Sequence, residues 1–514
     1  MNLETQRDAI EFLSRPEAYG NAGPVERIDT HISIVFLVRR RAYKLKRAVT
    51  FPYVDYASLE LRRAACEREV RLNRRTAPDL YRAVVAVARG PDGRLTLGGH
   101  GEPIEWLVEM ARFDDSQLLD RLAAAGRLDV QVVTRLAAAV AHFHEGAMPR
   151  RDHGGTASMR SVVEGNRVEM LGDAGGTLDR DACSALCAES FAAIERLDVL
   201  LEARRMHGLV RQCHGDLHLH NVFVRDGAPT LFDAIEFNDE LACIDVMYDF
   251  AFLLMDLVCR GLPRHGNAAL NAYFETRPDF RGLTLLPLFL SCRAAIRAKV
   301  DAAAAAVQQD STETARLRAE AHAYLELAQR LLRPNKASLV AVGGLSGSGK
   351  STLAALLAPS IVPAPGAVIV RTDVIRKQMF GVDPLQTLPD SAYAPDVSAR
   401  VYARALHAAE ACVRSGHAAI VDAVFAEPGH RRAVQRMAAE AGVPFTGIWL
   451  EVPYDVAAQR LESRRADASD ATPRVLRAQA DRAVGDIGWA RIDGRGFAPD
   501  ALLTVDDVIV SQST

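Results

Sequence analysis

The feature that most constrains the fold of this chain is a segment with the pattern GxxxxGK[ST], Gly344-Leu345-Ser346-Gly347-Ser348-Gly349-Lys350-Ser351. An apolar run at residues 339–342 precedes it, and residues 350–357 have the composition of a helix. The glycines of this pattern let backbone N–H groups surround a phosphate, the lysine reaches the β- and γ-phosphate oxygens, and the hydroxyl binds Mg²⁺. The following helix adds the partial positive charge of its N-terminus. The segment therefore predicts a strand, a phosphate-binding loop and a helix, in that order.

The rest of the C-terminal region alternates strand and helix patterns. Strands are predicted at residues 339–342, 367–371, 418–421 and 445–450, and helices at residues 350–357, 398–414 and 430–441. Repeated β-α units imply a parallel sheet covered by helices on both faces. Residues 336–514 are therefore predicted to form an α/β P-loop NTPase domain with a parallel sheet.

The candidate site residues of this half lie in the loop and in the polar segments that follow it. ATP contacts are predicted at Gly344, Ser346, Gly347, Ser348, Gly349, Lys350, Ser351, Thr352 and Arg460. Lys350 is also a candidate catalytic residue because it reaches the transferred phosphoryl group. Asp373 follows the second strand among basic residues, which suits a group that orients or deprotonates an acceptor hydroxyl. Asp422 ends the third strand, a place for a carboxylate that serves Mg²⁺ from outside its directly bound ligands, or that serves the substrate.

Several arginines precede a short polar segment near the end of this half. Arg460, Arg464 and Arg465 come before residues 469–473, Ser-Asp-Ala-Thr-Pro. This order predicts a mobile lid whose arginines close on the phosphoryl group and exclude water. Arg464 is the candidate catalytic arginine of the lid. An arginine-rich helix can equally be a solvated face, and that alternative applies to residues 431–432 as well.

A second phosphate-transfer signature lies about 130 residues earlier, at His214-Gly215-Asp216-Leu217-His218-Leu219-His220-Asn221, with the HxDxxxxN spacing of a kinase-like catalytic loop. Phosphoryl transfer to a hydroxyl needs a proton acceptor, a group that holds Mg²⁺ and a cation on the donor phosphates. Asp216 fits the proton acceptor and Asn221 a metal ligand. Asp233 ends the next hairpin and fits a second metal ligand. Glu236 lies three residues further on and competes with Asp233 for this role.

The region around this signature has a two-lobed pattern. Residues 30–110 are rich in strand patterns, with one amphipathic helix predicted at residues 58–80. Residues 115–330 are mostly helical, apart from a hairpin around Asp226-Gly227. A small β-rich lobe followed by a larger helical lobe predicts an α+β, two-lobed protein-kinase-like domain.

The domain boundary is predicted at a Pro-Asn stop. Residues 302–332 contain no Gly or Pro and predict one long helix, which ends at Arg333-Pro334-Asn335. The chain is therefore predicted to consist of a first domain at residues 1–333 and a second at residues 336–514. Each is expected to fold as a separate unit.

The first half resembles the aminoglycoside phosphotransferase family, which also includes choline and fructosamine kinases. The resemblance covers residues 25–330 and is strongest over residues 214–237. Asp245 and Asp249-Phe250-Ala251 support it. One departure is that no GxGxxG segment is present, and residues 30–33 stand where this nucleotide-covering loop would be.

The same resemblance implies the residues that would hold ATP. Lys46 would contact the phosphates, with Lys44 on the same strand face as the alternative. Glu69 would be the helix partner of this lysine. Glu109 and Met110 would form the adenine-binding hinge.

The second half resembles small P-loop kinases, among them gluconate and shikimate kinases, polynucleotide 5′-kinases and zeta-toxin-like kinases. The resemblance covers residues 338–510, and residues 372–376 with the predicted lid favour the group that holds polynucleotide kinases. The tandem as a whole resembles a bacterial family of bifunctional aminoglycoside phosphotransferase/AAA-type ATP-binding proteins.

Composition limits the partners of the chain. The formal net charge is −3 over 514 residues, and neither half is basic, so no general attraction to nucleic acid or anionic membrane is expected. The start is polar and no apolar run approaches the ~18–20 residues of a membrane span. The eight cysteines form no CxxC pair, which favours reduced, structural thiols. These observations predict a cytoplasmic protein without membrane partners.

The sequence therefore predicts two ATP- and Mg²⁺-dependent kinases in one chain, acting on hydroxyls of small molecules of the sugar or aminocyclitol class. Two alternatives stay open. The C-terminal half could phosphorylate a nucleic-acid 5′-hydroxyl with the first half as a docking partner, although the chain lacks a basic–aromatic stripe. The chain could also be a nucleotide-switched regulator, but nucleotide binding alone would need neither Asp216 nor Asp373.

Overall fold

The computed structural model describes residues 6–51, 53–172, 176–464, 467–481 and 484–496. The chain divides into two compact units. The first contains residues 1–172 and 187–256, and the second contains residues 173–186 and 257–514.

The first unit begins with a helix and a mainly antiparallel sheet. The elements are α1 (Arg7–Leu13), β1 (Glu26–Asp29), β2 (Ser33–Val38), β3 (Arg41–Lys46), β4 (Thr50–Phe51), β5 (Val54–Asp55), α2 (Leu59–Asn73), β6 (Tyr81–Arg89), β7 (Leu95–Leu97) and β8 (Glu102–Ala111). Six strands form one sheet in the order β1-β2-β3-β8-β6-β7, and β4 pairs with β5. This arrangement confirms the predicted β-rich lobe.

The two faces of this sheet have different partners. Leu13 of α1 packs with Phe36, Tyr43 and Leu45 on one face, and Val70 of α2 packs on the other. Because side chains alternate along a strand, residues 44 and 46 of β3 lie on the α2 face. The predicted helix at residues 58–80 begins as expected, with the Ser58 hydroxyl accepting the Leu61 N–H group, but it ends at Asn73. Pro78 prevents its continuation because proline disfavours a helical conformation in the residue before it.

The rest of the first unit is mainly helical. Its elements are α3 (Leu119–Ala124), α4 (Val130–Gly146), α5 (Gly155–Leu171), α6 (Arg180–Met206), β9 (Val210–Gln212), β10 (Val222–Arg225), β11 (Ala228–Leu231), α7 (Asp239–Ala242), β12 (Cys243–Asp245) and α8 (Val246–Cys259). The first residues of α6 and the last of α8 belong to the second unit. Strands β10 and β11 form the predicted hairpin around Asp226-Gly227.

The second unit begins with three helices, α9 (Pro263–Thr276), α10 (Leu286–Val307) and α11 (Ser311–Leu332). The prediction of one helix over residues 302–332 was wrong. Asp310 accepts a hydrogen bond from the Glu313 N–H group and starts a new helix, and the Gln308 side chain accepts the N–H groups of Gln309 and Asp310. A capping aspartate can therefore mark a break between two helices in a segment that contains no glycine or proline.

A parallel sheet forms the rest of the second unit. Its elements are β13 (Leu339–Gly344), α12 (Lys350–Leu357), β14 (Val368–Arg371), α13 (Thr372–Met379), α14 (Pro395–Arg414), β15 (Ala419–Asp422), α15 (Pro428–Ala441), β16 (Phe445–Glu451), α16 (Tyr454–Ser463), α17 (Pro473–Ala480) and β17 (Ala490–Asp493). The strand order is β14-β15-β13-β16-β17, and every pair is parallel. The predicted α/β class is confirmed, and β17, a short half-exposed strand, is an addition to the predicted set.

The helices at residues 263–332 belong to the same compact unit as the parallel sheet. The sequence predicted that the chain on either side of residues 333–335 folds independently. This independent folding stays a prediction. Residues 333–336 are exposed. Among the described residues, no helix has the length and apolarity that a membrane crossing requires.

Candidate active sites

The predicted catalytic loop of the first unit brings its two key side chains into contact. The Asn221 amide donates hydrogen bonds to Asp216 Oδ2 at 2.8 Å and to the Asp216 carbonyl at 2.9 Å. Asn221 is buried, whereas the Asp216 side chain is 40% exposed. His218 Nε2 lies 3.3 Å from Asp216 Oδ2. The Asp216 carboxylate is thus held by Asn221 and remains partly exposed, and the oxygen of the Asn221 amide is available as an acceptor.

Two buried aspartates of α8 hold this loop. Asp249 accepts the backbone N–H groups of His214 at 3.1 Å and Gly215 at 2.8 Å, and it lies 3.0 Å from His144 Nε2. Asp256 accepts the Leu219 N–H group at 2.9 Å. Buried polar groups of this kind are costly unless they are paired, so the paired set keeps the loop in one conformation. The sequence singled out Asp249 through a resemblance and gave no signal for Asp256.

Two lysines of β3 reach the same glutamate of α2 but have different second partners. Lys44 Nζ lies 3.0 Å from Glu69 Oε1 and 2.6 Å from Asp233 Oδ1. Lys46 also pairs with Glu69, and its other partner is Glu236. Asp233 is 42% exposed on its side chain, whereas Lys46 and Glu236 are almost fully buried. The Lys44–Asp233 pair therefore reaches solvent through Asp233, and the Lys46–Glu236 pair is enclosed.

The charges of this cluster follow from burial and from the lysines. Burial opposes the charge of Asp233, but the Lys44 ammonium holds the pKa of this carboxyl below its usual value. Burial raises the pKa of Glu236 despite the opposing effect of Lys46. The Tyr56 hydroxyl donates a 2.9 Å hydrogen bond to Glu236, which adds to its internal partners. Asp233 is the more accessible carboxylate of the two, and its pKa is shifted downward, whereas the pKa of Glu236 is shifted upward.

The predicted hinge residues lie at the end of β8, opposite the start of β3. Glu109 pairs with Tyr43 and Met110 pairs with Ala42 across the two strands. Because directly opposed residues share a face, the Glu109 side chain lies on the face away from Lys44, where its carboxylate contacts Arg41 at 3.0 Å. A role for Glu109 at the adenine ring would therefore use its backbone, and the hinge assignment stays a prediction.

The glycine-rich loop of the second unit connects β13 to α12, as predicted. Gly344, Gly347 and Gly349 have φ values of 144°, 81° and 96°, and a Cβ at Gly347 would lie 2.5 Å from the Ala457 carbonyl oxygen. Only glycine fits this position. The Ser346 N–H group donates to the Gln479 side chain at 2.9 Å, and Lys350 Nζ donates to the Leu345 carbonyl at 3.0 Å. The lysine therefore curls over the loop, where it can meet a phosphate.

Lys350 and Ser351 open α12, and Thr352 follows them on its exposed side. The Ser351 hydroxyl donates a 2.6 Å hydrogen bond to Asp422 Oδ2 at the end of β15. The neighbouring Thr372 hydroxyl donates to the Asp422 carbonyl at 3.2 Å. Hydroxyl and carboxylate are the oxygen ligands that Mg²⁺ prefers. The sequence placed these two side chains on separate segments, and the structure brings them together.

Asp373 lies in the first turn of α13, next to this pair. Burial and the Asp422 carboxylate raise the pKa of Asp373, and Ser469, Lys350 and Arg371 act in the opposite direction. Burial lowers the pKa of Lys350 in spite of Asp422 and Asp373. Carboxylates whose pKa is raised toward neutrality are suited to proton transfer.

The predicted lid contacts the phosphate loop. Arg460 Nη1 lies 3.5 Å from the Gly347 carbonyl and 3.4 Å from the Ser348 carbonyl. Arg464 has a buried Nη1 atom without a hydrogen-bond partner within the described protein. Arg465 lies outside the described residues. A buried guanidinium nitrogen without a partner is costly, which fits a group that awaits an anion.

Two side chains of the second unit, Asp470 of the lid segment and Arg431 of α15, make contacts that the sequence did not predict. Asp470 accepts hydrogen bonds from Lys377 at 2.6 Å, from the Tyr393 hydroxyl and from the Leu388 N–H group at 3.0 Å. This buried ion pair ties the lid segment to α13. Arg431 is buried and donates to the backbone carbonyls of four residues, Phe425, Ala426, Val484 and Asp486, which indicates a structural role.

Comparisons with known proteins agree with the two-part organisation. Residues 38–286 match the model of the phosphotransferase enzyme family, and residues 339–484 match an AAA domain model. The uncharacterized protein Rv2004c of Mycobacterium tuberculosis (strain ATCC 25618 / H37Rv) is 30% identical over 475 residues, which cover 91% of this chain and 92% of the relative.

Two solved structures match the separate halves. A choline/ethanolamine kinase family protein from Mesorhizobium loti matches with 14% identity and a TM-score of 0.37, over 63% of this chain and 99% of that one. A gluconokinase from Sinorhizobium meliloti 1021 matches with 19% identity and a TM-score of 0.25, over 35% of this chain and 95% of that one.

Proposed function

The chain belongs to the same family as the mycobacterial protein Rv2004c and is a kinase that joins a phosphotransferase-family segment to a P-loop segment, and we propose that each half transfers the γ-phosphoryl group of ATP to a hydroxyl of a small molecule. The observation that carries the proposal is that each half combines a lysine suited to binding phosphate with a carboxylate that nucleotide binding does not require. These pairs are Lys44 with Asp216, and Lys350 with Asp373.

In the first half, Asp216 takes the proton of the acceptor hydroxyl. Its fixed and accessible carboxylate supports this role, because a general base must reach the proton that it removes. Lys44 contacts the donor phosphates, since its ammonium lies beside the partly exposed Asp233 carboxylate. Lys46, which the sequence favoured, is buried between two glutamates, so we assign it to the support of Glu69 and Glu236.

The metal ligands of the first half are Asn221 and Asp233. Asp233 is partly exposed, and Glu236 is enclosed by Lys46 and Tyr56, which favours Asp233 of the two carboxylates. Mg²⁺ bound with ATP neutralises charge on the phosphates and polarises the transferred group. Hard oxygen ligands of this kind fit Mg²⁺.

In the second half, the glycine-rich loop holds the phosphates and Asp373 serves the acceptor. Ser351 and Asp422 supply oxygen ligands for Mg²⁺. Arg464 stabilises the charge that develops on the transferred group, which its unsatisfied nitrogen supports. Arg460 contacts carbonyl groups of the phosphate loop, so we assign it the indirect role of holding this loop in place around ATP.

The acceptors that we propose are small hydroxylated molecules of the sugar or aminocyclitol class. The near-neutral charge of the chain supports them over nucleic acid, whose backbone is bound mainly through clustered Lys and Arg side chains. A nucleic-acid 5′-hydroxyl remains the alternative acceptor for the P-loop half.

The experiment is phosphate transfer from γ-labelled ATP to three acceptor pools, namely sugars, aminoglycosides and 5′-hydroxyl oligonucleotides. We expect labelled product in one of the first two pools. Asp216→Asn should remove the product of the first half, and Lys350→Ala that of the second. Product only from the oligonucleotides would replace the proposal with the nucleic-acid alternative, and no product from any pool would favour a regulator.

A further inference from the structure

Helix α9 presents a stripe of polar groups to the parallel sheet. Asn267, Asn271 and Glu275 are spaced four residues apart and therefore share one face of the helix. The Asn267 amide donates to the Ala367 carbonyl at 3.0 Å, and the Glu275 carbonyl accepts the Gln378 side chain at 2.8 Å. All of these contacts lie within the second unit.

The Asn271 side chain imitates a neighbouring strand. Its Oδ1 accepts the Ile369 N–H group at 2.6 Å, and its Nδ2 lies 3.3 Å from the Ala367 carbonyl oxygen. In a parallel ladder, one residue likewise bonds through its own N–H and C=O groups to the carbonyl and the N–H group of residues two apart on the next strand. Strand β14 is at the edge of the described sheet, and Asn271 supplies the partner of the Ile369 N–H group on that side, whereas the Ala367 carbonyl is shared with Asn267.

The contact between α9 and the segment before β14 is too close to be a loose surface contact. Gly366 has a φ of 110°, and a Cβ at this position would lie 2.6 Å from Asn267 Nδ2 and 2.3 Å from the Ala358 carbonyl oxygen. His417, which is buried, bonds through Nε2 to the Gly366 carbonyl at 2.9 Å. The backbone before β14 is therefore shaped to receive α9.

Strand β14 leads directly into the P-loop kinase site. Arg371, its last residue, donates to Asp467 Oδ1 at 2.9 Å and has its Nε 3.6 Å from Asp422 Oδ2. Asp373 follows two residues later, in the first turn of α13. A displacement of this edge strand therefore moves the carboxylate that serves the acceptor, while the phosphate loop on β13, two strands away, stays in place.

We propose that Asn271 is a positioning residue of the P-loop kinase site, which holds β14 in register and thereby places Arg371 and Asp373. Asn271 lies in the segment that matches the phosphotransferase family, and not in the segment that matches the AAA domain. The P-loop kinase site therefore depends on a residue that precedes its own family match in the chain. This inference rests on the proposed function of the P-loop half.

The test uses the full chain with Asp216→Asn, so that ATP turnover comes from the P-loop site. Asn271→Ala removes both bonds to β14, and Asn271→Asp keeps the acceptor for Ile369. Arg264→Ala, an exposed change on the same helix, is the control. Each variant is measured for Mg²⁺-ATP hydrolysis, for affinity toward a non-hydrolysable ATP analogue, and for hydrogen exchange of the Ile369 amide.

For Asn271→Ala we expect exchange at Ile369 to rise ~10-fold, the effect of losing about 1.4 kcal/mol of hydrogen bonding. Turnover should fall ~10- to 100-fold, because small misplacements of catalytic groups have effects of this size. Affinity for the analogue should stay within about twofold, since the phosphate loop is not displaced. Asn271→Asp should be intermediate, and Arg264→Ala should match the parent.

Unchanged turnover with increased Ile369 exchange would overturn the positioning role. Equal losses of affinity and turnover, together with a lower melting temperature, would also overturn it, since they indicate general destabilisation. If Asn271→Ala does not fold, Asn271→Asp decides between the same outcomes. Lys350→Ala separates the two hypotheses: if it leaves hydrolysis unchanged, the proposed function of the P-loop half fails, and the positioning role fails with it.

Discussion

Lys44 Nζ lies 2.6 Å from Asp233 Oδ1, and this contact distinguishes two lysines that the sequence could not separate. Both lysines share Glu69, but only Lys44 reaches the partly exposed carboxylate. Lys46 is enclosed with Glu236. The Lys44–Asp233 pair is therefore suited to ATP, and the enclosed Lys46–Glu236 pair is suited to holding β3 against the segment that follows β11.

Substitution of the two lysines should have different effects. Lys44→Met should lower turnover of the first half by ~10²-fold, as expected for the loss of one group that stabilises transition-state charge. Lys46→Met should instead lower the free energy of unfolding by about 3–5 kcal/mol, because it leaves the buried Glu236 carboxylate without its lysine partner. Thermal melting and acceptor phosphorylation measure the two effects. If Lys46→Met lowers turnover ~10²-fold and leaves the free energy of unfolding unchanged, the ATP role returns to Lys46.

Asp216→Asn should reduce phosphate transfer by the first half by ~10²–10⁴-fold, the usual contribution of a positioned base. Asparagine retains the size of the side chain and can keep its contact with Asn221, so binding of an ATP analogue should be nearly unchanged. Acceptor phosphorylation and calorimetry test the two parts. Unchanged turnover would remove Asp216 from the mechanism.

The sequence predicted those parts of the molecule in which local pattern decides the structure. Helix α12 begins and ends at the predicted residues because the phosphate-binding motif fixes its start. The break at Asp310 escaped prediction because a capping side chain in an alanine-rich stretch resembles an ordinary helix residue. Residues 44 and 46 share a strand face, so only the partners on other segments separate them.

The strand-like contact of Asn271 with Ile369 joins residues 98 apart in sequence and has no local signature. An asparagine on a helix face usually predicts a solvated position. The same limit applies to Asp470, whose three partners come from residues 377–393. Contacts of this kind depend on which segments the fold brings together, and a single sequence does not contain that information.

The pH dependence of the P-loop half should report Asp373. A base must be ionised to act, so turnover should fall as pH decreases through the pKa of this group. Burial and Asp422 raise this pKa above the ordinary 3.8, and the midpoint should therefore lie above that value. Asp422→Asn should move the midpoint to lower pH, because it removes a like charge. A pH–rate profile in Asp216→Asn tests this, and a midpoint unaffected by Asp422→Asn would contradict it.

Proteolysis at the exposed residues 333–336 should cut the chain without separating its fragments. Helix α9, in the N-terminal fragment, bonds through Asn267 and Asn271 to β14 in the C-terminal fragment. Gel filtration of the cleaved protein should therefore give one peak. Two peaks under native conditions would show that residues 336–514 are independent of α9.

The most direct test of two kinase sites in one chain is the number of nucleotides that it binds. Calorimetry with a non-hydrolysable ATP analogue and Mg²⁺ should give two equivalents for the wild type. Lys350→Ala removes the cation of the phosphate loop and should leave one, and Lys44→Met should weaken the other. Two equivalents in the wild type and one in Lys350→Ala are the result that we predict. A single equivalent in the wild type, lost in Lys350→Ala, would contradict the account and leave the P-loop half as the only nucleotide site.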